Sequence, residues 1–188
     1  MTWFFANNPK ILYEVSNSNI PVECMDITKR FKLRESVAQK KYILFNYQLR
    51  EGERPDMVAD FYYGDPTLDW LVLITNNIFD PYFEWPLTHT EFTEFVKLKY
   101  GSVEYAKSNY KEYYKILQPR QKTVEGYWVD EYSVQIDQKT YQSLTAPQRK
   151  RVSFYDYENS LNESKKVIKV IDKRFLDQIL KELDTVYE

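Results

Sequence analysis

The chain has 188 residues, a span that fits one domain or one domain with a small appended unit. Its 26 basic and 28 acidic residues leave a net charge of -2, which gives no electrostatic footprint for nucleic acid. Its four glycines, Gly52, Gly64, Gly101 and Gly126, lie too far apart for a phosphate-cradling loop, and its one cysteine, Cys24, excludes an internal disulfide.

The start, "MTWFFANNPK", lacks a basic lead and a long apolar region, so no secretory signal is expected there. No apolar run reaches the roughly 18 residues that a membrane span needs. Residues 1–36 read as an irregular arm. Trp3, Phe4 and Phe5 are aromatics on a polar segment that must dock on this domain or on a neighbouring chain. "KKYILFNYQL", 40–49, is rich in β-branched and aromatic residues and reads as a strand. "EGERP" makes a turn. "PDMVADFYYG" reads as a short helix with Asp56 near its start and Gly64 as its stop.

Asp65-Pro66 pairs an N-cap with proline at the first helical position, so a second helix is expected over roughly 66–77. Leu68, Leu71, Val72 and Thr75 form its inner face. Trp70, Leu73 and Ile74 widen that face until the helix is apolar nearly all round. Thr88 and Glu91 form a capping box for a third helix with a Phe92, Phe95, Val96 and Tyr100 stripe, ended by Gly101. Residues 110–136 look like a hairpin with a long loop, and "DQKTYQSLTAPQRKR" like a short helix and a loop. "QRKRVSFYDYE" mixes basic and aromatic residues, but Asp156 and Glu158 neutralise it, so a solvated loop leading into an interface strand is expected. "KKVIKVID" alternates as a strand, and "KRFLDQILKELDTVY" is an amphipathic helix with Phe175, Ile179, Leu183 and Val186 on one face. The fold class is α+β with short strands. The expected division is 1–36 as arm, 37–100 as core with its following helix, and 101–188 as hairpin and strand-helix region.

The densest stretch is "YYGDPTLDWLVLITNNIFDPYFEWPL", 62–87. Tyr63, Gly64, Asp65 and Pro66 make a turn between helices, and Asn76-Asn77 ends the second one, since Asn tolerates left-handed angles. A glycan contact is the competing reading of both. Asp80, Pro81, Tyr82, Phe83, Glu84, Trp85 and Pro86 form a proline-stiffened run with three aromatics. Such a run packs inside or serves as a rigid anchor for a partner. The acids Asp65, Asp69, Asp80 and Glu84 invite a glycosidase pairing, but acids this common pair up by chance, and two of the four have capping or turn roles. His89 alone, with Cys24 far away, makes neither a transition-metal cluster nor a triad. No cofactor is expected.

Residues 47–78 resemble a LysM module, a βααβ unit. Gly52-Glu53-Arg54-Pro55 stands at the first turn, Val58-Ala59 and Tyr63-Gly64 match the first helix, and Leu73 to Asn77 match the end of the second. "DPYFEWPL" stands where the module's second strand is expected. Over nearly the whole chain, "RPDMVADFYYGDPTLDWLVLITNNIFDPYFEWPL" and "VSFYDYENSLNESKKVIKVIDKRFLDQILKEL" resemble the baseplate wedge subunit of contractile-tailed, T-even-like bacteriophages. The resemblance implies a virion structural protein, assembled in the host cytoplasm, in six copies per baseplate and without enzyme activity. Its implied partners are other wedge proteins, the sheath initiator and inner baseplate or hub proteins, with no nucleic acid or membrane. The motif positions it marks are Arg54, Pro55, Tyr63, Gly64, Asp65, Pro66, Trp70, Asn76, Asn77, Asp80, Pro81, Tyr82, Phe83 and Trp85. A glycan-binding virion module is the alternative implied by the LysM likeness.

Overall fold

The computed structural model describes residues 8–14, 20–28 and 42–187, with side chains described as far as residue 181. Trp3, Phe4 and Phe5, and the Leu183 and Val186 side chains of the expected helical face, lie outside what is described. In chain order the elements are β1 (Lys10–Glu14), β2 (Pro21–Met25), β3 (Leu44–Gln48), α1 (Pro55–Tyr63), a 3-10 turn (Pro66–Leu68), α2 (Asp69–Thr75), α3 (Pro81–Glu84), α4 (His89–Tyr100) and α5 (Val103–Ser108). There follow β4 (Tyr110–Gln118), β5 (Gln121–Lys122), β6 (Trp128–Val129), β7 (Tyr132–Ile136), α6 (Gln138–Ser143), β8 (Arg149–Ser153), α7 (Phe154–Ser164), β9 (Val167–Ile171) and α8 (Leu176–Tyr187). The chain is α+β, as its pattern implies.

The chain divides into two compact units: the described residues of 1–86 with those of 165–188, and residues 87–164. The expected border at 100/101 falls inside the second unit. The division follows from strand pairing. β3 pairs antiparallel with β9, from Leu44 opposite Ile171 to Gln48 opposite Val167. "DPYFEWPL" therefore does not replace a second strand. The strand that pairs with β3 arrives only after the whole of 87–164.

In the first unit, α1, α2 and α8 pack on the β3–β9 ribbon. Val58, Ala59, Leu68, Trp70, Leu71, Val72, Ile168, Val170 and Ile171 form the buried centre, with Phe175, Leu176, Ile179 and Leu180 against it. Ile168, Val170 and Ile171 together supply β9's contribution to that centre, while Val167 and Lys169 face outward. A two-stranded ribbon is marginal alone, and helices on its face supply what it lacks.

The expected irregular arm contains a hairpin. β1 and β2 pair from Lys10 opposite Met25 to Glu14 opposite Pro21. The Asp26 N–H and the Asn8 side-chain amide extend the ladder to the Pro9 and Asp26 carbonyls, at 2.9 and 2.7 Å. Alternation gathers Ile11, Tyr13, Val22 and Cys24 on one face.

The second unit packs Phe92 and Val96 of α4 and Ala106 of α5 with Phe154 and Tyr155 of α7. Its sheet runs β7-β4-β8. The capping box of Thr88 and Glu91 and the Gly101 stop form as read from sequence. Helices α5 and α7 were not expected, and "RKRVS" is a sheet strand rather than a solvated loop. Phe, Tyr, Asn and Ser are weak helix formers, so α7 depends on burial, including that of Glu158 and Asn162.

Candidate docking surface

Helix α1 begins at Pro55, where φ is preset and no N–H is lost. Before it, the Arg54 guanidinium donates to both Asp56 carboxylate oxygens at 3.0 and 2.5 Å, which holds the Asp56 carboxyl below its ordinary value. Gly64 closes α1 at φ 81°, a left-handed angle that favours glycine. The Asp65 carboxylate then accepts from the Thr67 N–H and hydroxyl at 2.9 and 2.6 Å. Tyr63 faces inward, and its hydroxyl accepts from the Ile171 N–H at 2.9 Å. Burial pushes its pKa well up. Trp70 is buried in the core.

Asn76 and Asn77 do end α2, and Asn77 takes the left-handed angle at φ 53°. Asn76 does more. Its side-chain amide donates to the Val72 and Lys169 carbonyls, each at 2.8 Å, and its oxygen accepts from the Lys169 N–H at 2.7 Å. One side chain thus satisfies the outer edge of β9 as a third strand would. In the second unit the Asn162 side chain likewise exchanges two bonds, of 2.8 and 2.9 Å, with one backbone residue, Leu87, in the segment before α4.

The aromatic run divides between core and surface. Asp80 caps α3 by accepting from the Tyr82 N–H at 3.1 Å, and Pro81 opens the helix. Glu84 accepts from the Phe79 and Asp80 N–H groups at 2.7 and 3.1 Å, and these bonds hold its carboxyl below the usual value. Trp85 turns in, 8% exposed, and its ring N–H donates to the Glu53 carbonyl at 2.9 Å. Tyr82 and Phe83 turn out, 86% and 77% exposed. The Lys165 ammonium donates to the Phe83 carbonyl at 2.7 Å and fixes the backbone beneath them. Two large rings therefore stand in water on a turn held at both ends and from below. Met57 and Phe61, one turn apart on α1, also present apolar surface.

The four acids considered for a glycosidase pair have local roles. Asp65 and Asp80 cap helices, Glu84 closes its own turn, and Asp69 accepts from the Trp70 N–H at 2.8 Å. Among the described residues, no group of three or more His, Cys, Asp or Glu could hold a metal ion, and no helix is long and apolar enough to cross a membrane.

The family described as "Base plate wedge protein 53" matches residues 2–185. The chain belongs to that family. Baseplate wedge protein gp53 of Enterobacteria phage T4 is 34% identical over 70 residues, which cover 37% of this chain. The match spans 36% of the T4 protein's length. The base plate wedge protein 53 family is a structural one, so the surface chemistry of this member is to be read as that of a virion building block. Sequence reasoning missed the edge-closing role of Asn76 and the inward turn of Trp85. The first needs a partner 93 residues away, and no local signal carries it.

Proposed function

We propose that this protein is a docking subunit of the baseplate wedge. It holds wedge subunits to one another and to the inner baseplate, near the sheath initiator, in six copies per baseplate. The observation that carries this reading is the pair Tyr82 and Phe83, rigidly mounted and exposed beside a buried Trp85. Ordering such a turn costs little on binding, because its caps already fix it. The β3, α1, α2, β9 order supports reading the first unit as a LysM-like core adapted to protein contact. In a glycan-binding use, Tyr63, Asp65 and Asn76 would be free to meet sugar, whereas here they bond within the fold.

The test is co-purification by size exclusion with the neighbouring wedge proteins. Wild type should co-elute. The Tyr82→Ser, Phe83→Ser double variant should elute alone while keeping its thermal midpoint, since exposed substitutions shift stability by only about 0.5 kcal/mol. Co-elution of the double variant would remove these residues from the interface. Saturable binding of the wild type to purified peptidoglycan would favour the glycan-binding reading instead.

A further inference from the structure

A second surface lies wholly within residues 87–164. Strands β4 and β8 place Tyr113 opposite Arg151, Lys115 opposite Arg149 and Tyr110 opposite Ser153, so these side chains share one sheet face. Helix α6 stands over that face, with its Tyr141 ring 4.9 Å from that of Tyr113. Between them is a cleft of about 510 Å³ lined by Tyr110, Tyr113, Gln142, Tyr141, Arg149 and Arg151, among others. The Arg151 guanidinium lies 3.8 Å from the centre of the Tyr110 ring, and that of Arg149 4.8 Å from Tyr141. Arg149 also donates to the Tyr141 carbonyl at 3.3 Å.

The rings orient both guanidiniums but do not neutralise them. The acids beside these strands in sequence bond elsewhere: Glu112 with the Tyr114 hydroxyl and Glu131 with Lys150, both on the opposite sheet face by alternation, and Asp137 with Thr140. Among the described residues, neither Arg149 nor Arg151 forms an ion pair with a carboxylate. A chain of net charge -2 has thus gathered two unneutralised forks, with Lys115 on the same face, in a cleft walled by tyrosines. A planar guanidinium held by a ring is preorganised for bidentate contact with a carboxylate.

We propose that this cleft binds an acidic segment of a partner polypeptide, with Arg149 and Arg151 gripping its carboxylates and the tyrosines covering its side-chain stems. Phosphate could meet the same forks. However, a nucleic-acid strand needs a basic track along its backbone, and the paired positions of this sheet face add only Lys115 to the two arginines, beside the apolar Val134 and Ile136 of β7. The site is separate from Tyr82 and Phe83, so it stands or falls independently of the docking role given to them.

The test uses the full chain and a fluorescein-labelled, end-blocked octaglutamate, read by anisotropy at low salt, with labelled dT20 as the competing probe. Saturable octaglutamate binding is expected. It should weaken at least about tenfold in the Arg149→Gln, Arg151→Gln variant, as loss of charge-assisted bonds requires. Because those arginines also pack on rings, a second variant is needed. Gln142→Glu puts an acid on the exposed rim without touching the stacks and should weaken binding comparably. Lys150→Gln, whose ammonium pairs with Glu131, should not. Equal binding by wild type and both cleft variants, or no binding by wild type, overturns the proposal. Tighter, variant-sensitive binding of dT20 reassigns the cleft to nucleic acid. Variant-sensitive self-association by sedimentation would make the occupant a second copy, which also overturns it.

Discussion

Replacing Asn76 by alanine tests whether one side chain stands in for a missing strand. The substitution removes three hydrogen bonds, two from the amide nitrogen and one to its oxygen. Each is worth about 1 kcal/mol net. The site is half-buried, so water recovers part of the loss, and the expected cost is about 2 kcal/mol. Asn76→Asp should cost more, because it turns a carboxylate oxygen toward the Val72 and Lys169 carbonyls. With two units in one chain, a single unfolding curve need not be two-state, so a residue-specific readout is required. The Lys169 amide supplies it. Losing about 2 kcal/mol of local protection corresponds to roughly thirtyfold faster hydrogen exchange at that N–H. Unchanged exchange at Lys169, together with a loss below about 0.5 kcal/mol in urea, would refute the edge-closing role.

Trp85→Phe keeps most of the buried ring but leaves the Glu53 carbonyl without its donor, so the thermal midpoint should fall by the equivalent of about 1–2 kcal/mol. At Asn77, with φ 53°, alanine should lower the urea midpoint by the equivalent of about 1 kcal/mol, whereas glycine should leave it nearly unchanged or raise it. Glu158 accepts from Lys99 at 2.8 Å and Tyr100 at 2.6 Å. Burial pushes its carboxyl up, but these two bonds and the Lys99 charge outweigh burial and leave it below the ordinary value of 4.5. Its stabilising effect is therefore complete above that pH and disappears as the pH falls through the lowered folded-state value. Circular dichroism against pH should show an acid loss that Glu158→Gln reduces; an identical acid limb in the variant would contradict this. Burial, then the bond to Glu158, raises Tyr100 to about 12, so its contribution is complete below pH 10 and fades as the pH rises toward 12.

What was legible in the sequence is what is decided within a few residues. Asp65 as a cap, the Thr88 and Glu91 box, Gly64 and Gly101 as stops, and Asn77 at a left-handed angle all follow from short-range stereochemistry. The alternation in "KKVIKVID" marked a strand, but alternation does not say which strand it joins, and the pairing with β3 is set by packing across more than a hundred residues. The division of labour among Tyr82, Phe83 and Trp85 was equally hidden. All three are large rings in a one-turn helix and its flank, and Trp85 alone joins the buried core, with its ring N–H on the Glu53 carbonyl. Helix α7 escaped because its buried Glu158 and Asn162 look like surface residues until Lys99, Tyr100 and the Leu87 backbone are brought to them.

The late arrival of β9 has a bearing on biosynthesis. A ribosome delivers β3, α1 and α2 early, yet their ribbon cannot close until Val167–Ile171 has left the exit tunnel. Residues 87–164 are contiguous and meet no such delay. A nascent polypeptide halted before β9 would carry one finished lobe and one unsealed lobe, in which Trp85, next to Tyr82 and Phe83, still lacks Ile168, Val170 and Ile171 of its core.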